Sequence, residues 1–339
     1  MNLFSKSIGI DLGTANTLIY MKGKGIVLRE PSVVAVETRS KKVLAVGNEA
    51  KNMIGKTPGS IEAVRPLKDG VIAEFSVTAK MLHAFFKRIA GNVWVNRPKV
   101  IICVPFGVTD VEKRAVEDAT IEAGAKSVAL IEEPIAAAIG AGLKVSNAQG
   151  SMIVDIGGGT TEVAVLSLGG IVVPGSIRVG GDELDESIVD YVRMKHNISI
   201  GESTAELVKK TIGAVHSDEQ NESLEVRGRN LYSGLPATII LTTTEVREAM
   251  SGTINTLINT IKRVLRDTPP ELSADIYDKG IMCAGGGALL KGLRTLIYEE
   301  TGIKAYIAKR PLDSVADGIG IVLDSLEALS GVLSYAKSR

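Results

Sequence analysis

Of 339 residues, two are cysteine (Cys103 and Cys283), one is tryptophan (Trp94) and three are histidine. Each cysteine lies inside an apolar run, which suits a buried thiol in a reducing compartment and leaves no disulfide framework. No histidine stands at metal-ligand spacing from a cysteine or an acid, so a zinc site is not expected. Neither sign of charge dominates: Lys+Arg and Asp+Glu both total 39, for a formal net charge of +0. That excludes the global basic field of a nucleic-acid binder, so no nucleic-acid partner is expected. It also does little to keep copies of the chain apart, which permits self-association. No apolar run reaches the ~18 residues of a membrane span. Residues 1–7 are too short for a secretory signal and lead straight into a strand. The expectation is a cytoplasmic protein, with contact to a membrane surface left open.

With 45% hydrophobic and 23% charged residues, the chain has ample material for a core. Its length suggests two domains or one bilobed unit. Residues 151–165 combine an apolar run ending in Asp155, the triplet Gly157-Gly158-Gly159, then Thr160 and a second β-prone run. This reads as two strands joined by a tight turn with a carboxylate at the bend. Residues 7–21 repeat the grammar with Asp11, Gly13 and Thr14. A duplicated strand–turn–strand, one copy in each half, suggests two similar lobes bringing two Asp-Gly turns to one cleft. A second glycine triplet, Gly285-Gly286-Gly287, follows an apolar strand as a third turn and precedes Ala288 and Leu289, where a helix is expected.

These turns suggest a chemistry. Glycine lets backbone N–H groups approach a ligand closely, and exposed amides beside an acid suit a phosphate and its metal ion. The amides of Gly13, Thr14, Ala15 and Asn16 would cradle one side of a polyphosphate, and those of Gly157, Gly158, Gly159 and Thr160 the other. Asp11 and Asp155 would hold Mg²⁺ through its waters, since Mg²⁺ dehydrates reluctantly. The third turn, with Ala288 and Leu289, would leave room for a base or ribose. A competing pattern, Ala50 to Thr57, nearly matches a phosphate-binding loop. That loop needs a preceding strand and a helix opening at its Gly-Lys-Thr, whereas Pro58-Gly59 follow here without helical spacing.

Elsewhere, apolar spacing predicts helices over 75–89 and 110–124, with Thr109 or Asp110 as N-cap, and from Pro134 onward. It further predicts a helix after Gly181, a long one from Val246 to Leu265 ending at Thr268-Pro269-Pro270, and one from Val315 through Leu329. Residues 33–78 read as a small insertion on the first lobe, with short strands at 33–36 and 43–46 and turns rich in Gly, Pro and Lys, and 200–245 as a second insertion, mixed and polar.

The motifs Asp11-Leu12-Gly13-Thr14, Glu132-Glu133-Pro134 with its alanines, Asp155 to Thr160, and Gly285-Gly286-Gly287 resemble the actin, Hsp70 and sugar-kinase superfamily. Longer stretches narrow the resemblance to the bacterial actins, the MreB family: residues 11–17, 22–27, 30–34, 69–73, 131–140, 155–165 and 268–275, covering nearly the whole chain. The resemblance implies an α/β actin-like ATPase fold, with two RNase H-like lobes, each carrying a smaller subdomain, and ATP–Mg²⁺ in the interlobe cleft. The expected division is 1–147 for the first lobe (small subdomain about 33–66), completed by a C-terminal helix over 315–339. The second lobe is expected over 148–314, with its small subdomain at about 183–245. The family also implies slow ATP hydrolysis and polymerisation of the chain with itself into paired protofilaments. It further implies a peripheral position on the inner membrane, and cell-shape and cell-wall morphogenesis proteins as partners.

By the same resemblance, Glu133 lies where the family has its water-activating acid, and Thr160 would orient that water. Read without it, Glu133 is equally an acid complementing a helix start. Glu206 and Lys209 match a nucleotide-contacting Glu-x-x-Lys, or form a helical i, i+3 ion pair. Thr211 stands where the family pattern has an acid, and Phe106 where it often has a small residue. Trp94 falls in a loop that the family dips into membranes, with Leu3 and Phe4 beside Lys6 as a short anchor; packing of Trp94 on its own domain is the alternative. A small-molecule kinase on the same fold is the competing function, although no sugar or acetate pocket signature is visible. An Hsp70-like chaperone is a further reading, but no substrate domain follows residue 339.

Overall fold

The computed structural model describes residues 7–91, 97–325 and 330–335. Two sheets dominate it. In the first, the strands run in the order Leu333–Tyr335, Ser127–Glu132, Lys99–Val104, Ser7–Leu12, Asn16–Met21, Gly25–Pro31. In the second they run Gly170–Ile177, Thr161–Ser167, Ser151–Ile156, Ile281–Ala284, Ala305–Ile307. Apart from the added edge strand, both follow one plan. Three consecutive strands form an antiparallel meander, and two later strands join parallel on the side of the first. Such parallel pairs need crossover helices. Phe75–Ala90 and Asp110–Glu122 provide them in the first lobe, with Gly181–His196 and Thr243–Asp267 among those of the second.

Each lobe carries a smaller sheet. Val34–Glu37, Val43–Val46 and Ile61–Val64 form the first, and Ile198–Ser199, Ser223–Asn230 and Pro236–Thr242 the second. The polar stretch 200–245 thus contains a helix, Glu202–Ile212, which buries Ala205, Val208 and Ile212 on one side. A further helix, Pro270–Lys279, starts directly after the long one, with proline in its first turn where a missing N–H costs nothing. The helix expected to run from 315 to 339 ends at Asp324, and Leu333–Tyr335 instead pairs as an edge strand with Ser127–Glu132. Thr109 caps Asp110–Glu122 in a reciprocal box with Glu112.

Between the two sheets lie the helices Glu133–Gly140 and Ser314–Asp324, buried with Ile101, Ile131, Ile153 and Leu166 in a shared core. They cross backbone to backbone: a Cβ on Gly318 would lie 1.9 Å from Ala136 O, and one on Gly140 1.8 Å from Ser314 O. Only glycine permits that approach. The crossing fixes the start of the first helix, and with it Glu133, at the line where the sheets meet. No helix among the described residues is long and apolar enough to cross a membrane.

Candidate functional site

The C-terminal ends of the central strands from both sheets converge on one cavity of about 540 Å³. On each side its floor is a hairpin turn of the same build. Gly13 N–H donates to Asn16 O at 3.1 Å, and Gly157 N–H to Thr160 O at 2.9 Å. The turns touch: a Cβ on Gly158 would lie 2.7 Å from Ala15 Cβ, and one on Gly159 would lie 2.9 Å from Thr14 Oγ1. The glycines are therefore required for turn-to-turn packing as well as for exposing amides. Ser32 braces the first turn, donating from Oγ to Gly13 O at 2.7 Å and from N–H to Ala15 O at 3.0 Å. The N–H groups of Gly181 and Asp182, opening the Gly181–His196 helix, brace the second on the carbonyls of Gly157 and Gly158.

Asp11, Gly13, Thr14, Ala15, Asn16, Glu133, Asp155, Gly157, Gly158, Gly159 and Thr160 all line the cavity, as do Glu206, Lys209, Gly285, Gly286, Gly287 and Leu289. Ala288 does not; its side chain is fully buried in the core of the second lobe. The expected helix at this point is a four-residue 3-10 turn, Gly286–Leu289, and the α-helix begins only at Leu293. Gly285 has φ +76°, and a Cβ there would lie 2.5 Å from Asp155 Oδ1, so glycine is needed to pass the carboxylate. Leu3, Phe4 and Trp94 lie outside the described residues.

The pair Glu206 and Lys209 does not form the i, i+3 contact that the spacing allows. Lys209 Nζ is held inside the second lobe, 2.9 Å from Asp185 Oδ1 and donating to Gly181 O at 2.6 Å. It thus steadies the helix start that carries the glycine turn. Glu206 faces Lys210 at 2.5 Å and, from the other lobe, Lys51 at 3.0 Å. Burial raises its pKa, but the hydrogen bonds from Lys210 and Lys51 prevail and lower it to about 2.

Asp11, Asp155 and Glu133 behave differently, because none of the ion pairs among the described residues reaches them. Burial pushes the Asp11 carboxyl up to about 7, opposed by the hydrogen bond that Cys103 Sγ donates to its Oδ1 at 3.6 Å. Burial and the Asp11 charge push Asp155 up to about 7. Burial, then Asp155, Asp11 and Glu162, raise Glu133 well above the usual carboxylate range. Asp155 Oδ2 is buried with no hydrogen-bond partner among the described residues. Several buried carboxylates around one orphaned oxygen form a site that a cation would relieve. Among the described residues, no three His, Cys, Asp or Glu side chains converge to ligate an ion directly.

Sequence reasoning did not assign to the site Asp185, Arg29 and Cys103, which line the cavity, nor the nearby buried Glu162. Glu162 is buried directly opposite Asp155 in the strand register and accepts from Ser176 Oγ at 2.7 Å; burial pushes it up to about 8. Its place on an alternating β-strand was available from the pattern, but its depth was not. Glu132, the neighbour of Glu133, does not line the cavity.

A sequence model of the MreB/Mbl protein family matches residues 5–331. The chain is 51% identical over 336 residues to the cell shape-determining protein MreB of Escherichia coli (strain K12), covering 98% of this chain and 97% of that one. The crystal structure of MreB5 of Spiroplasma citri bound to ADP superposes with a TM-score of 0.91 at 37% identity, covering 95% of this chain and 97% of that one. The AMPPNP-bound form matches with a TM-score of 0.91 at 38% identity and the same coverage.

Proposed function

The chain belongs to the MreB/Mbl family and has the actin-like fold, and from that premise we propose that it is a cytoskeletal ATPase. In this reading it binds ATP–Mg²⁺ between its lobes, hydrolyses it slowly and polymerises into paired, membrane-associated filaments that set cell shape. One observation carries the nucleotide reading. Two hairpins of like build, one from each lobe, meet at a single cavity that also contains Glu133 and an orphaned carboxylate oxygen of Asp155. The ADP and AMPPNP bound by the Spiroplasma relative support an adenine nucleotide as the ligand. We take residues 1–147 with the C-terminal segment as one lobe and 148–314 as the other.

In this mechanism the turn amides of 13–16 and 157–160 hold the phosphates from opposite sides. Asp11 and Asp155 would hold Mg²⁺ through its waters, and the chemistry it would supply there is neutralisation of phosphate charge. Glu133 stands at the cavity wall and takes the proton of the attacking water, while the Thr160 hydroxyl orients that water. Gly285 to Gly287 and Leu289 border the base and ribose, with Glu206 beside them. Leu3, Phe4 and Trp94 contact the membrane, placing the chain peripherally on the inner face, where cell-wall morphogenesis proteins are its partners.

The test is a steady-state phosphate assay run together with electron microscopy in ATP–Mg²⁺. Filaments with slow phosphate release are expected, and the Glu133→Ala variant should retain nucleotide binding while losing roughly 10²–10⁴-fold in release. Unchanged release in that variant would remove Glu133 from the role. Phosphoryl transfer to an added sugar without filaments would favour a small-molecule kinase.

A further inference from the structure

The outer wall of the cavity belongs to the second lobe and includes Asp182, Glu206 and Lys210. From across the opening, the small sheet region of the first lobe reaches over with two cations. Lys51 closes the single-turn helix Asn48–Lys51, and its ammonium lies 3.0 and 3.4 Å from the two carboxylate oxygens of Glu206. Arg65 directly follows the strand Ile61–Val64; its guanidinium lies 3.8 Å from Asp182 Oδ1 and 3.8 Å from Glu202 Oε2. Neither cation lines the cavity. Their contacts are with the carboxylates of its far wall.

The attachment is firm at both ends. Asn48, at the start of the Lys51 turn, donates from its N–H to Glu30 at 2.7 Å, and Arg88 pairs with the same Glu30 at 2.8 Å. On the far side, Glu206 and Glu202 share one helix, Glu202–Ile212, and Asp182 lies in the first turn of Gly181–His196. Both of these helices pack in the core of the second lobe. The three pairs therefore join the first lobe to two packed helices of the second across the opening of the cavity.

We propose that Lys51 and Arg65 are positioning residues of the nucleotide site, forming an ionic strap across its mouth that sets how long the nucleotide stays bound. The proposal rests on the nucleotide reading above and adds residues that touch no part of the ligand. Glu206 is the shared point: it borders the cavity and anchors the strap, so bound nucleotide and closed strap organise the same carboxylate. All the groups are at least partly exposed to solvent, so added salt weakens the strap.

The experiment uses the full chain, at concentrations below assembly, loaded with a fluorescent ATP analogue and Mg²⁺ and chased with unlabelled ATP. In the wild type, release should accelerate as salt rises to about 0.5 M. The double variant Lys51→Ala/Arg65→Ala should release about tenfold faster at low salt, the combined effect of three weak pairs, and lose most of its salt dependence. Arg65→Glu should release fast, and adding Glu202→Arg should restore slow release, which a general folding defect would not. Unchanged release in the double variant overturns the strap, as does failure of the charge exchange to restore it. If the wild type binds no analogue at all, the nucleotide reading falls and the strap with it.

Discussion

Asp155 sits among acids rather than opposite a cation, and its environment has a consequence that can be measured without any ligand. Burial and Asp11 raise its carboxyl from 3.8 to about 7, and burial raises Asp11 by a similar amount. Between those values the folded chain holds protons that the unfolded chain has already released. The contribution of these two groups to stability is therefore fully present below about pH 4 and is lost as pH rises through about 7. In the absence of nucleotide and divalent ions, the thermal midpoint should fall between about pH 5 and about pH 8. Asp155→Asn, which removes one of the buried charges, should flatten that fall. A midpoint that rises over this interval would contradict the assignment. By the same electrostatics, a dication at Asp11 and Asp155 should return most of the loss at pH 8.

The element that organises the site is the hairpin turn, and the glycine positions within it are not equivalent. Gly158 has Ala15 against it, whereas Gly170, at another hairpin, has nothing within 4 Å of an added Cβ. Gly158→Ala should therefore cost ~1–3 kcal/mol of stability as overpacking and weaken nucleotide binding. Gly170→Ala, the control, should have little effect, and both outcomes can be read by thermal unfolding and analogue titration. Equal costs at the two positions would mean that the turns do not bear on one another. These turns were also the most legible part of the sequence, because a strand ending in Asp-x-Gly carries its geometry in residue types that few other structures require. The region 200–245 was less legible. Its helix presents only a narrow apolar stripe of Ala205, Val208 and Ile212, and its two long strands bury little beyond Val226 and Leu241. The expectation of a C-terminal helix running on to 339 fails at 333–335 for a related reason. Leu333–Tyr335 is too short to display a period of two, and its pairing with Ser127–Glu132 depends on a partner some 200 residues away. Lys209 illustrates a third limit: the spacing offered Glu206 as its partner, but the folded chain supplied Asp185 from another helix.

At the scale of the whole molecule, the two lobes share one core through the crossed helices at Gly140 and Gly318, and share one cavity above it. A ligand that touches both lobes should stabilise them together. A non-hydrolysable ATP analogue with Mg²⁺ at a hundredfold excess over its Kd should add ~2.7 kcal/mol and raise the thermal midpoint in step with the logarithm of its concentration. A midpoint indifferent to the analogue would place nucleotide elsewhere or nowhere. The two turns below the cavity also carry a geometric consequence. Aligned on their aspartates, Thr14 corresponds to Gly158 and Ala15 to Gly159, yet in space Thr14 meets Gly159 and Ala15 meets Gly158. The second position of each turn faces the third of the other, as across the two-fold axis of a homodimer. In a true homodimer both partners would carry the same residues, so one turn could not supply both side chains while the other supplied bare backbone at both positions. Joining the halves in one chain removes that constraint. One turn can supply a hydroxyl and a methyl while its counterpart supplies only room, and a symmetric scaffold gains a single Glu133 and a defined front and back.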